Sequence, residues 1–223
     1  MKHPLLGTQK IEQMPEPYLA EHGRIFASFG ENTQDSGNIS YSVQIGEERF
    51  FVKTAGFPND PKPLLKHPER VALLETAVTI SNICSHTALV NLHHVVQSPH
   101  GPMLIYEWVA GELIRSVMPR FRALAVPEIL AVLDVIYDLH VDLAEAGWVA
   151  LDFYDGCLIY DFDTKVVRVM DLDFYHKRPF INKMGRLFGS SRYMSPEEFE
   201  LGATIDQRST VFTMGRTAVN LLS

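Results

Sequence analysis

A chain of 223 residues, 46% hydrophobic and 21% charged, has enough apolar side chains to bury a core, in one large domain or two lobes, and too many to stay disordered. Its net charge of −7 argues against general binding to nucleic acid or to an anionic membrane surface. No basic and apolar leader opens the sequence, and its longest apolar helical stretch, residues 128–146, is interrupted by Glu128, Asp134, Asp138 and Asp142, so a cytoplasmic protein without membrane contact is expected.

Residues 1–23 are polar and contain proline, and they are expected to be a surface lead-in without chemistry. Residues 24–30 read as a strand. Residues 39–45, Ile-Ser-Tyr-Ser-Val-Gln-Ile, alternate apolar and polar without a break, the mark of a half-buried antiparallel strand. The stretch between them, residues 30–37, holds two glycines and two acids and reads as a hairpin turn. Gly46, Glu47 and Glu48 then turn the chain into a third strand that ends in Phe50, Phe51, Val52 and Lys53.

Pro68 opens a helix at a favourable first position, and Val71, Glu75 and Val78 share one stripe of it at i, i+4 and i+7. A carboxylate on an inward stripe is costly unless paired, which makes Glu75, with Glu69 as the alternative, a candidate for an ion pair. Residues 92–97, a turn at Ser98, Pro99, His100 and Gly101, and residues 103–109 form a further hairpin. Pro127 opens and Gly147 ends a core helix with Ile129, Leu130, Leu133, Ile136 and Leu139 on one side. Cys84 and Cys157 have no metal or redox spacing, so no structural zinc is expected.

Beyond that helix the sequence concentrates its chemistry. Residues 158–160 and 166–170 are apolar runs separated by Asp161, Phe162, Asp163, Thr164 and Lys165, a hairpin pattern. Asp152 lies on the entering loop and Asp171 just past the exit strand. A hairpin folds the two carboxylates back together, where they can share a metal.

This segment resembles the catalytic segment of Ser/Thr protein kinases. Asp152 falls at the catalytic-loop Asp. Asp171, Leu172 and Asp173 look like a variant of the Asp-Phe-Gly metal motif, and residues 189–197, Gly-Ser-Ser-Arg-Tyr-Met-Ser-Pro-Glu, resemble the run that closes the activation segment. Phe50 to Lys53 is similar to the strand whose lysine holds the α- and β-phosphates, and residues 104–113 look like the hinge between lobes, with Tyr106 as gatekeeper and the backbones of Glu107 and Val109 meeting adenine. The resemblance implies a bilobal α+β fold: a lead-in over 1–23, a small five-stranded antiparallel lobe with one helix over 24–109, and a mainly helical large lobe over 110–223, incomplete at its C-terminus because the chain stops within what resembles the central helix.

The implied site has Asp152 as the catalytic residue, Lys53, Glu75, Glu107 and Val109 on the nucleotide, and Asp171 and Asp173 on Mg²⁺, with ATP as cofactor and a protein as substrate or binding partner. In an extended segment Asp171 and Asp173 point the same way, so Asp173 can stand in for the second metal ligand; Asp155 is another candidate donor. Several positions depart from the pattern. Ala150 and Leu151 replace His-Arg, Tyr154 replaces the phosphate-steadying Lys, Cys157 replaces the second metal-binding Asn, Phe51 replaces a small residue over adenine, and Thr210 replaces the central-helix Asp. The readings that follow are an ATP-dependent protein kinase, a pseudokinase that binds without turnover, and, less well matched, a small-molecule kinase of the aminoglycoside or choline type. Between Asp171 and Gly189 the only hydroxyl is Tyr175, and the segment carries His176, Lys177, Arg178, Lys183 and Arg186 as a solvated loop or a dock for an acidic partner.

Overall fold

The computed structural model describes residues 3–30, 36–60, 64–177 and 179–223. The 30–37 turn therefore falls largely outside the described residues, as does Arg178 in the basic run. The chain divides into two compact units, Met1–Ser81 with Asn91–Trp108, and Asn82–Val90 with Val109–Ser223.

In the first unit, strands β1 (Arg24–Phe29), β2 (Ile39–Ile45), β3 (Glu48–Thr54), β4 (Leu92–Ser98) and β5 (Gly101–Glu107) form one antiparallel sheet in the order β1-β2-β3-β5-β4. The β2–β3 register, Ile39 opposite Thr54 through Ile45 opposite Glu48, is set by a two-residue turn in which Gly46 takes φ +61°. One face carries Tyr41, Val43, Phe50, Val52, Val96, Met103 and Ile105, and Leu5, Ile11, Tyr18 and Leu19 pack directly onto it. The N-terminal residues, including helix α1 (Pro15–His22), are thus a layer of the core and not a surface lead-in. Burying Leu5, Ile11 and Leu19 contributes about 1.5–3 kcal/mol each. The alternation expected of β2 holds only in part, because Ser40 and Ser42 are buried along with Tyr41 and Val43.

Helix α2 (His67–Ile83) covers the other face, where Leu74 and Ala77 meet Ala55 and Leu104. Its inward stripe runs through Arg70, Leu74 and Ala77, one residue out of phase with the expected Val71, Glu75 and Val78. Glu75 is exposed. The Glu69 carboxylate accepts the Lys66 N–H at 2.7 Å, capping the helix it opens. Arg70, fully buried, gives its guanidinium to the carbonyls of Gly37 and Ala55, both at 2.7 Å, and of Phe57 at 2.8 Å. A buried cation is tolerated there because three oxygens replace its water. Gly56, at φ +69°, permits the approach: a Cβ on it would lie 2.3 Å from the Gly37 carbonyl.

The second unit holds β6 (Glu112–Leu113), α3 (Ile114–Arg122), α4 (Val126–Glu145), β7 (Trp148–Val149), β8 (Leu158–Asp161), β9 (Val166–Val169) and α5 (Gln207–Leu222). Strands β6, β8 and β9 form a small sheet. Its hairpin turn is chemically specified: the Asp161 carboxylate accepts the N–H of Asp163 at 2.9 Å, and Lys165 adopts φ +59°. Helix α4 buries Ile129, Leu133, Ile136, Leu139 and His140, whereas Leu130, expected on the same side, is exposed. Asp206 caps α5 by accepting the Arg208 N–H. Among the described residues no helix is long and apolar enough to cross a membrane.

Candidate active site

Three non-glycine residues among those described have positive φ: Asp152 at 52°, Lys165 at 59° and Asp171 at 65°. One belongs to the hairpin turn. The other two are the carboxylates singled out from the sequence. A left-handed backbone costs about 1–3 kcal/mol outside glycine, least for Asp and Asn, and it persists where the surroundings hold it in place.

Those surroundings are visible around Asp152. The Ala150 N–H donates to the Thr210 hydroxyl at 3.0 Å, and Gln207 donates to the Trp148 carbonyl at 2.7 Å, so α5 pins the residues that lead into the loop. Beyond it, the Cys157 thiol meets the Asp152 carbonyl at 3.7 Å, and the Met170 N–H donates to the Cys157 carbonyl at 2.9 Å. This last bond closes the open end of the β8–β9 hairpin and brings the loop that carries Asp152 up to the residue preceding Asp171. The Tyr154 phenol senses both acids: burial pushes its pKa up, and Cys157, Asp171 and Asp152 push it further.

His140 is a fixed point beneath this loop. Its Nδ1 lies 2.7 Å from the Ile136 carbonyl, which can only accept, so Nδ1 carries the proton and Nε2 accepts from the Tyr175 hydroxyl at 2.7 Å. The ring also packs edge-on against Phe153, with centroids 4.6 Å apart. Burial pushes the imidazole down to about 4, so it stays neutral. Sequence reasoning missed this hub; a histidine inside the apolar stripe of α4 was its one signal.

Asp171 is exposed, and Asp173, two residues on, is buried. The segment is not extended, since Asp171 is left-handed, so the expected parallel orientation of the two carboxylates does not hold. Cys157 is fully buried, its thiol directed at a backbone carbonyl. Asp155 is buried too, and Asn220 donates to it at 3.4 Å. Among the described residues no group of three or more His, Cys, Asp or Glu side chains gathers as a metal site. The donor set therefore fits one Mg²⁺ held by Asp171 together with phosphate oxygens and water, because magnesium keeps most of its shell from such ligands. It does not fit a second ion on Cys157.

In the first unit, Lys53, the last residue but one of β3, is 9% exposed, and Phe51, two residues back on the same side, stands 6.0 Å from Phe29. Aromatic bulk thus lines the face beside Lys53. Glu107 exchanges hydrogen bonds with Asn91: its N–H donates to the Asn91 carbonyl at 3.0 Å and its carboxylate accepts the Asn91 N–H at 2.8 Å. Val109, half-buried, opens the second unit's main segment.

No protein-family model matches the chain. It is 28% identical over 129 residues to a calcium and calcium/calmodulin-dependent serine/threonine-protein kinase of Oryza sativa subsp. japonica, covering 53% of this chain and 23% of that protein. It is 26% identical over 119 residues to serine/threonine-protein kinase 1 of African swine fever virus, covering 53% of this chain and 40% of that protein. The chain thus spans less than half the length of either relative. Its structure superposes on that of the Cydia pomonella granulovirus kinase PK-1 with a TM-score of 0.63 at 18% identity, over 93% of this chain and 71% of that one. The fold is accordingly the bilobal α+β fold of protein kinases. Within that fold the chain is similar, at low identity and over about half its length, to serine/threonine protein kinases.

Proposed function

We propose that this protein is an ATP-dependent protein kinase that transfers the γ-phosphate to a Ser or Thr hydroxyl of a protein. The observation that carries the proposal is the left-handed backbone shared by Asp152 and Asp171, braced by α5 on one side and by the closed hairpin on the other. Strain of this kind is maintained where a fixed carboxylate geometry is needed.

Phosphoryl transfer requires chiefly positioning and charge neutralisation. Asp152 accepts the proton of the acceptor hydroxyl as its oxygen bonds to the γ-phosphorus and the bond to the β–γ bridging oxygen breaks, leaving ADP. Asp171 is the residue that would hold Mg²⁺, which when bound neutralises phosphate charge; Asp173, being buried, is the weaker candidate. Lys53 holds the α- and β-phosphates, and the backbones of Glu107 and Val109 receive adenine. Glu75, exposed on α2, is the weakest of the nucleotide-site candidates, since orienting the Lys53 ammonium would require it to turn inward.

One observation favours the second reading, a pseudokinase. The place of the second metal ligand is filled by the fully buried Cys157, and a thiol is a poor magnesium ligand. Calorimetry with ATP, with and without Mg²⁺, tests the proposal. Binding should require Mg²⁺ and weaken about tenfold or more in Asp171→Ala, which loses a charged ligand. Binding indifferent to Mg²⁺ and to that substitution would remove the metal role, and no binding at millimolar ATP would favour a protein-binding module.

A further inference from the structure

Two exposed arginines of the second unit hold no hydrogen bond or ion pair through their guanidinium groups among the described residues: Arg115 on α3, and Arg192. Their neighbours are occupied, Arg120 by Glu112 at 2.6 Å and Arg208 by Asp206 at 2.9 Å. Nor is the basic run over 176–186 comparable. Lys177 gives its ammonium to the Ala146 carbonyl and the Trp148 ring, and Arg186 bonds Ser191 and carbonyls of its own segment.

Arg115 and Arg192 belong to one constellation. The Arg115 guanidinium lies 5.7 Å over the ring of Tyr154, the Tyr154 ring meets that of Tyr193 at 6.3 Å, and Arg192 immediately precedes Tyr193. The position of Tyr154 is built into the loop, since a Cβ on Gly156 would come within 2.4 Å of its ring. A guanidinium held over an aromatic face leaves its N–H donors available to a carboxylate, which an arginine can receive with two bonds. The usual explanation of exposed arginines is a solvated surface. Arg115 differs in being held over a glycine-specified tyrosine whose phenol is within electrostatic reach of Asp152 and Asp171, and Arg192 adjoins Tyr193, the ring that meets that tyrosine. They also lack a compensating acid on a chain of net charge −7, so any attraction is local.

Resting on the kinase assignment above, we infer that the acceptor is an acidic peptide, with Asp or Glu side chains flanking the phosphorylated hydroxyl received by Arg115 over Tyr154 and by Arg192 beside Tyr193. A nucleotide phosphate offers the same chemistry to Arg115, so the test separates the two sources.

Three fluorescent peptides with one central Ser, flanked by Glu, Ala or Lys, are assayed for phosphate transfer and, by anisotropy without nucleotide, for binding. The Glu-flanked peptide should lead the Ala-flanked one by about tenfold in both readouts, as expected for one or two charge-assisted bonds. Arg115→Gln and Arg192→Gln should erode that preference and Arg115→Glu should reverse it, with ATP affinity and Tm close to those of the parent. Selective binding of the Glu peptide without transfer to any peptide would keep this inference and sink the kinase assignment. Equal or better use of the Lys-flanked peptide would overturn the inference. So would a preference indifferent to both arginines, or an Arg115 effect confined to ATP affinity.

Discussion

The Thr210 hydroxyl, inside the first turn of α5, accepts the backbone N–H of Ala150, two residues before Asp152, at 3.0 Å. Both residues are buried, so the amide has no water to fall back on. In the kinase pattern this place on the central helix belongs to an Asp, and the substitution shortens the side chain while leaving an acceptor oxygen where the loop needs one. Thr210→Val removes that oxygen at nearly constant shape and strands the amide, at a cost of about 1–3 kcal/mol. Thr210→Ser should lose much less. Urea unfolding of the two variants decides, and equal stability of Val and Ser would show that the bond is dispensable.

The His140–Tyr175 pair predicts a pH signature. In the native state the imidazole titrates near 4, whereas an unfolded histidine titrates near 6.5. Between those values the unfolded chain holds a proton that the native state does not, so this group's contribution is intact above about 6.5 and is lost as pH falls towards 4, with a slope of up to about 1.4 kcal/mol per unit. Glu198, whose carboxyl burial pushes up to about 7, tilts stability the other way, so the parent's overall profile mixes both. The difference between the parent and the double variant His140→Leu/Tyr175→Phe isolates the histidine: the variant should lack its slope. Parallel profiles from denaturation at pH 5 and pH 7 would refute the assignment.

Arg70 should be among the most sensitive positions of the first unit. Arg70→Met leaves the carbonyls of Gly37, Ala55 and Phe57 without their donor, and a loss of about 3–5 kcal/mol is expected from removing a buried, charge-assisted network. Arg70→Lys should rescue little, because a single ammonium cannot reproduce the planar fork. Thermal unfolding reads this directly, and a Lys variant as stable as the parent would contradict it.

Activity should not depend on an activation-segment phosphate. Tyr175 is buried with its hydroxyl given to His140, and Leu151 occupies the place of the Arg that usually receives such a phosphate. Mass spectrometry before and after phosphatase, paired with assays, should find activity unchanged. A stoichiometric phosphate on Tyr175, Ser190 or Ser191 whose removal abolishes activity would overturn the expectation.

Elements whose pattern and turn chemistry agree are legible in the sequence. Strand β2 over Ile39–Ile45 and the β8–β9 hairpin around Asp161 are of this kind, and so is the pair of acids at the hairpin base. The N-terminal layer is not legible, because Leu5, Ile11, Tyr18 and Leu19 are spaced irregularly among polar residues and show no period. On α2, apolar residues at 71, 73, 74, 77 and 78 allow two phases, and the assumption that Glu75 faces inward selects the wrong one. The inward charge is Arg70, satisfied by carbonyls from two separate places in the chain, Gly37 and the stretch holding Ala55 and Phe57, that no local pattern reveals. His140 and Thr210 are hidden for the same reason: each acts through a residue 35 or 60 positions away.

The central claim rests on Asp152, and its most direct test is phosphate transfer from γ-labelled ATP·Mg²⁺ to a protein or peptide Ser/Thr by the parent and by Asp152→Asn. Asn keeps the shape, tolerates the left-handed backbone and cannot take the proton. The account predicts transfer by the parent and a fall of about 10²–10⁴-fold in the variant, with ATP·Mg²⁺ affinity retained. An Asn variant as active as the parent, or a parent that binds ATP·Mg²⁺ and transfers nothing, would contradict it.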